Sequence, residues 1–227
     1  MLSEGHANSI VRTRLRRHPE RALTEREQVL AIVDEGLVAH VGFIDSGAPV
    51  VIPTTYARVG NTLYLHGAAS GRLMSVTGAS DHICVTITLL DGIVLARSAF
   101  NHSMNYRSVV IFGRPRPVTD EDEKRGAFAA LVEHVIPGRG ADTREASETE
   151  LKTTGIVAID LNESSAKRRS GPPKDGKADE SLPHWAGVVP AQLVFGQPEP
   201  DERACNTSLP DYLQNYNRSP KKAQEEG

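Results

Sequence analysis

The sequence is poor in cysteine and in aromatic residues: 227 residues contain two cysteines, Cys84 and Cys205, and only 5% Phe, Trp and Tyr. The cysteines form no Cys-x-x-Cys pair, so neither a disulfide framework nor a zinc knuckle is indicated, and both read as reduced thiols. There is no N-terminal apolar h-region, and the longest apolar run, 83–96, is broken by Asp91-Gly92 and is too short to span a bilayer. A soluble, cytoplasmic protein without a membrane partner is expected, and the Asn-x-Ser matches at Asn101 and Asn162 then carry no glycosylation. No G-x-x-x-x-G-K-[ST] or G-x-G-x-x-G occurs, and Gly67-Ala68-Ala69-Ser70-Gly71 sets its serine one place too late for a nucleophile elbow. ATP-loop, Rossmann and hydrolase readings lose ground accordingly. An excess of positive charge is missing too. The formal charge of −3 is spread over interspersed acidic and basic residues, so no nucleic-acid partner is expected. The run Arg12-Thr13-Arg14-Leu15-Arg16-Arg17 is the local exception; it reads as a solvated tail, with a nucleic-acid arm or organelle targeting as alternatives.

With 39% hydrophobic residues the chain has enough apolar side chains for one good core. Thr24-Glu25-Arg26-Glu27 suggests a capping box, and Val29, Ile32 and Val33 supply the stripe of a short helix ending at Gly36. The period then changes. Segments 37–44, 49–58, 62–67, 82–90 and 93–100 are rich in Val, Ile, Thr and Tyr and are bounded by Asp-Ser-Gly, Gly-Asn and Asp-Gly turn signals. Segment 105–118 continues as a strand closed by Pro115 and Pro117. Thr119 is placed to cap a second helix whose Phe128, Leu131, Val132 and Val135 fall at i, i+3, i+4 and i+7, and 155–162 follows as a strand. These strands are too closely spaced for βαβ crossovers, so the expected fold is mainly β with short flanking helices (α+β), a six- to seven-stranded antiparallel β-barrel. From 164 to 181 the chain turns polar, through Lys167, Arg168, Arg169 and Gly171-Pro172-Pro173, and is expected to be loop or arm. The expected organisation is a polar leader (1–20), a barrel domain (21–165), a C-terminal arm (166–197) and a flexible tail (198–227).

Residues 63–74, Leu-Tyr-Leu-His-Gly-Ala-Ala-Ser-Gly-Arg-Leu-Met, run an apolar strand straight into a small-residue turn bearing a hydroxyl and a guanidinium. That is the composition of a phosphate cradle, with Ser70 capping a helix whose first N–H groups meet an anion and Arg72 adding a bidentate contact. A plain strand-to-helix connection is the alternative for the same residues.

The helix, the strand pair, the His66-Gly67 turn, Arg72 and then Asn105-Tyr106-Arg107-Ser108-Val109, in this order, resemble the pyridoxamine 5'-phosphate oxidase-like family of FMN-binding split barrels. The branch it looks most similar to includes the nitroimidazole resistance proteins. Ser165-Ala166-Lys167-Arg168-Arg169-Ser170-Gly171-Pro172-Pro173 and Trp185-Ala186-Gly187-Val188-Val189-Pro190 resemble that branch's C-terminal pattern. The resemblance implies a homodimer with FMN in a cleft between subunits, FAD, a deazaflavin or haem being the alternative cofactors. It implies that Ser70, Arg72 and Leu73 hold the phosphate, that Ile52, Pro53, Thr54 and Thr55 lie along the isoalloxazine edge, and that Asn105, Tyr106, Arg107 and Ser108 form a second contact strand. Lys167, Arg169 and Trp185 would cover the cofactor or a small-molecule substrate, with Trp185 as a stacking lid. His66 would sit near the ring as the catalytic candidate, a group able to donate, accept or attack. His102 has a weaker claim through its nearness to Asn105. No metal-ligand cluster is expected, and the substrate-phosphate pattern of the true pyridoxamine phosphate oxidases is absent. The implied activity is an oxidoreductase acting on a small planar or aromatic substrate with reduced nicotinamide as donor; a flavin- or haem-binding carrier or sensor without turnover is the alternative.

Overall fold

The period-2 segments assemble into two antiparallel sheets in the computed structural model, which describes residues 12–204, 206–214 and 216–218. Cys205 and the ends of the leader and tail lie outside the described residues. The larger, seven-stranded sheet has the order β1 (Ala22–Leu23), β10 (Ser164–Arg169), β7 (Ser103–Gly113), β6 (Ile83–Leu95), β2 (Ala39–Asp45) and β3 (Ala48–Thr54), with β11 (Gly187–Pro190) also pairing β6. The smaller, four-stranded sheet runs β4 (Tyr56–Val59), β5 (Thr62–Ala68), β9 (Thr154–Asp160) and β8 (Arg116–Pro117). The helices α1 (Arg26–Glu35), α2 (Arg72–Ala79), α3 (Glu121–Val135), α4 (Glu148–Thr153) and α5 (Asp211–Gln214) flank them. This is the expected split barrel, mainly β with short helices.

One core lies between the sheets. Ala39, Val41 and Phe43 alternate inward on β2, Ile83, Val85 and Ile87 on β6, and Leu63 and Leu65 on β5, and α1 adds Val29, Ile32 and Val33. Tyr56 is fully buried there, and its hydroxyl donates to the Val33 carbonyl at 2.6 Å. The turn from α1 into β2 needs Gly36 for space, because a Cβ there would lie 2.5 Å from Ile87 Cγ2 and 2.6 Å from the Tyr56 hydroxyl. Strand β9 is buried on both faces. Val157 and Ile159 point into this core, whereas Ile156 and Ala158 point the other way, against Tyr64, Val118, Ala127 and Phe128. Helix α3 thus covers the outer face of the small sheet.

Four local expectations need correction. The segment from 164 expected to be loop opens as β10, an interior strand paired to β1 and β7, with Ala166 and Arg169 buried in an otherwise polar stretch. Backbone pairing on both sides stabilises it despite its charge. Asp91-Gly92 does not end a strand: β6 runs through as one strand with a bulge between Leu90 and Gly92, absorbing the turn residues. The span 49–58 breaks at Thr55, where the chain leaves the large sheet for the small one. The caps also shift by a residue. Glu25 and Gly71 precede α1 and α2 with no side-chain cap, so neither Thr24 nor Ser70 caps, and Asp120 rather than Thr119 caps α3 by accepting from Glu123 N at 2.8 Å.

Candidate functional site

Because successive side chains of a strand face opposite ways, Leu63 and Leu65 on β5 enter the main core while Tyr64 and His66 face α3. The Tyr64 hydroxyl is tied to Glu123 Oε1 at 2.9 Å. His66, one step further along the same face, lines a cavity of about 410 Å³ whose wall is the apolar stripe of α3, Phe128, Leu131, Val132 and Val135. Its Nδ1 is buried and has no hydrogen-bond partner among the described residues. Phe128, Val132 and Thr143 also line a second cavity of about 780 Å³, so the two spaces adjoin. Both lie within the volume range of small-molecule and cofactor sites, and an unpaired imidazole at the end of an apolar chamber could ligate a metal or form a hydrogen bond.

The other histidine of this region is spoken for. His134, on α3, has Nε2 2.8 Å from the Gly36 carbonyl oxygen, and its ring packs on Tyr56 with centroids 4.7 Å apart. Both imidazoles are held below the ordinary value of 6.5, His66 by burial, His134 by burial and then by the Arg218 charge. The folded protein therefore binds these two protons less readily than the unfolded chain. Their contribution to stability is complete above 6.5 and is lost as the pH falls from there through their folded values. The thermal midpoint is expected to drop on acidification from about pH 7 to 5, and to drop less in a His66→Ala, His134→Ala double variant.

The second candidate region is the edge of β3 and the start of α2. β3 ends its sheet, so one row of its backbone N–H and C=O groups has no strand partner among the described residues. Ile52 packs inward against the core, Pro53 is exposed, Thr54 donates through Oγ1 to the Thr55 carbonyl at 3.2 Å, and Thr55 lines the His66 cavity. The two regions adjoin at Thr55. Ser70 is exposed in the turn before α2, whose first N–H groups meet no side-chain cap. Arg72 is largely exposed and its Nε donates at 2.6 Å to Asp45 at the β2–β3 turn, which holds the Asp45 carboxyl below the usual range. Leu73 packs against the core and could offer a ligand only its backbone. The exposed hydroxyl, guanidinium and uncapped amides fit a phosphate, and the open strand edge fits a flavin's hydrogen-bonding rim.

Of the remaining sequence candidates, Arg107, Asn105, Arg169 and Lys167 make hydrogen bonds within the chain. Arg107 is clamped between two carboxylates: its Nη2 donates to Glu35 Oε1 at 2.8 Å and to Asp91 Oδ1 at 2.7 Å, with Nη1 on Glu35 Oε2. Arg169 and Asn105 are both buried and bonded to each other. Together they secure the next turn, Asn105 Nδ2 and Arg169 Nη1 each donating to the Gly171 carbonyl at 3.2 Å and Arg169 Nη2 to Pro172 at 3.2 Å. Lys167 Nζ donates to the Arg17 carbonyl at 3.1 Å. Tyr106 and Ser108 are half-buried on β7, and His102 is exposed with Nδ1 3.0 Å from the Ser98 carbonyl oxygen. Trp185 is 67% exposed, with its ring close over the Gly187 backbone. The residues that sequence reasoning missed are those completing the His66 chamber: the α3 stripe, read there only as helical spacing, and Ile136, Arg139 and Thr143 beyond it.

The fold and this paired site define a flavin-type split barrel, and comparison places the chain. It belongs to the pyridoxamine 5'-phosphate oxidase family, whose family model matches residues 25–168. It is similar to the flavocytochrome Anf3 from Azotobacter vinelandii, with 37% identity, a TM-score of 0.84, and 89% of this chain and 94% of that one covered. It is also similar to the FAD and heme binding protein from Mycobacterium smegmatis, with 34% identity and a TM-score of 0.81 over 85% of this chain and 95% of that one. A 5-nitroimidazole antibiotic resistance protein from Bacteroides thetaiotaomicron shares the fold, at 22% identity and a TM-score of 0.55 over 64% of this chain and 85% of that one. No curated protein matches the chain. Among the described residues no helix is long and apolar enough to cross a membrane.

Proposed function

We propose that this chain is a flavin- and haem-binding oxidoreductase, with the flavin along the β3 edge and α2 turn and the haem in the chamber lined by His66. The observation that carries this reading is the buried, unpartnered Nδ1 of His66 beside an apolar cavity. An imidazole so placed would ligate the haem iron, and the apolar α3 stripe would enclose the porphyrin. Haem supplies one-electron chemistry, and flavin couples two-electron donors to one-electron acceptors. Thr55 lines the chamber immediately after the flavin strand, so the two groups would be neighbours. The two relatives above 30% identity, a flavocytochrome and an FAD and heme binding protein, favour both cofactors; FMN remains the mononucleotide expectation from the family. Reduced nicotinamide is the donor proposed, with a small planar acceptor.

The reading includes a homodimer in the cytoplasm. Ile44 and Val51 on the β2–β3 face and Leu90, Ile93, Met104 and Val189 around β6 leave apolar side chains exposed for a second copy, and Cys84 is an unpaired thiol.

The test is the absorption spectrum of the purified protein before and after addition of FAD, FMN and haemin, with mass analysis of any flavin released, followed by oxidation of reduced nicotinamide. Both cofactors bound with turnover supports the oxidoreductase; both bound without turnover leaves a carrier; neither bound overturns the reading. In the same assay Arg72→Ala is expected to weaken flavin binding by about 1.5–3 kcal/mol, the scale of a charge-assisted hydrogen bond. Unchanged affinity would remove Arg72 from the phosphate site.

A further inference from the structure

One wall of the His66 chamber is the loop after α3, residues 136–143, which contributes Ile136, Arg139 and Thr143. This loop is held from two sides. From within α3, Glu133 accepts the N–H groups of Gly138 at 2.8 Å and Gly140 at 2.7 Å. From outside, the C-terminal segment lies along it. The Tyr212 ring packs against Gly138, with Cδ1 3.4 Å from the ideal Cβ position. The Tyr212 hydroxyl accepts from Arg139 Nη1 at 3.0 Å and donates to Asp142 Oδ2 at 2.7 Å. Further along, the Tyr216 hydroxyl donates to the Val135 carbonyl, and Arg218 donates to the carbonyls of Asp34, Glu35 and His134, the free acceptors at the ends of α1 and α3.

The arginines around the two cavities differ in one respect. Arg125 is paired with Glu121 and Glu148, and Arg144 is forked on Glu150. Their charges are balanced by carboxylates in direct contact. Arg139 instead donates to a neutral phenol, and Asp142, whose charge reaches Arg139 through space, is bonded by that same phenol. A guanidinium held at the rim of an apolar chamber, with no carboxylate in ion-pair contact among the described residues, can receive an anionic group on whatever enters.

We propose that the His66 chamber takes a planar ligand bearing a carboxylate, that Arg139 receives this carboxylate, and that Tyr212 of the C-terminal segment is the positioning residue that holds Arg139 at the rim. The inference rests on the haem reading of the chamber, since the propionates of haem are such carboxylates. Tyr212 fixes Nη1, and the other Arg139 nitrogens have no hydrogen-bond partner among the described residues, so the cation is oriented before the ligand arrives. A segment at the far end of the chain thereby selects which ligand charge the chamber accepts.

The experiment titrates the full chain with haemin and with haemin dimethyl ester, which keeps the macrocycle and iron but masks both carboxylates, following the haem absorption band. Wild type is expected to bind haemin at least tenfold more tightly than the ester. In Arg139→Gln the preference is expected to collapse towards one, haemin losing far more affinity than the ester. Tyr212→Phe, which keeps the ring against Gly138 and loses only the hydroxyl, is expected to lower the preference severalfold. An undiminished preference in Arg139→Gln overturns the anion-receiving role, and an undiminished preference in Tyr212→Phe alone overturns the positioning role. Wild type that binds neither porphyrin overturns the haem reading and this inference together, whereas binding of both with equal affinity overturns this inference only.

Discussion

His66→Ala is expected to abolish the absorption band of ligated haem and to weaken haemin binding by at least about two orders of magnitude, the upper range for loss of a strong directed contact. The residue is the one lining side chain of the chamber with a nitrogen able to meet iron; its companions are Thr55, the α3 apolar stripe, Ile136, Arg139 and Thr143. Stability is expected to change little, within about 1 kcal/mol, because the substitution removes a buried nitrogen that has no partner and leaves the core face of β5, Leu63 and Leu65, untouched. His134→Ala is the contrast. That ring is bonded to the Gly36 carbonyl and stacked on Tyr56, so its loss should lower stability and leave the haem spectrum intact. A ligated spectrum surviving in His66→Ala would place the iron elsewhere in the molecule.

Arg107→Ala is expected to lower the unfolding free energy by about 2–3 kcal/mol, read from the urea midpoint, with flavin affinity per folded molecule unchanged. The guanidinium joins Glu35, the last residue of α1, to Asp91 at the β6 bulge. Two mutually repelling, half-buried carboxylates would remain without it, and Glu35 already sits at the negative end of its helix dipole. The two carboxylates push the Arg107 pKa further up, so the group stays charged at every accessible pH. The family resemblance implies that Arg107 contacts the flavin. A variant of normal stability with weakened flavin binding would assign it that role.

How far the site was legible depends on the distance between its parts in the chain. The turn at 67–73 could be read directly, because strand, small residues, hydroxyl and guanidinium are consecutive, and the structure keeps Ser70 and Arg72 exposed there. The strand alternation around His66 was legible too, since Leu63 and Leu65 and then Tyr64 and His66 must face opposite ways. What covered the second face was not. The stripe of Phe128, Leu131, Val132 and Val135 has the same spacing whether it meets a packed sheet or bounds a chamber, and only the gap between α3 and β5 distinguishes the two. Arg107 shows the same limit. Its carboxylates come from positions 35 and 91, and nothing local at 107 announces them.

The amino-acid pattern by itself determined the strand periods, the two principal helices and the phosphate-like turn, because each is a property of neighbouring residues obeying backbone sterics and burial. Tertiary structure alone decided that polar 164–169 is an interior strand, that Asp91-Gly92 is a bulge, that His66 looks into a cavity, and that Tyr212 reaches Arg139. Each of these depends on groups remote in sequence meeting across a sheet or a cavity. Their free energy comes from pairing and burial that no local window of the chain contains.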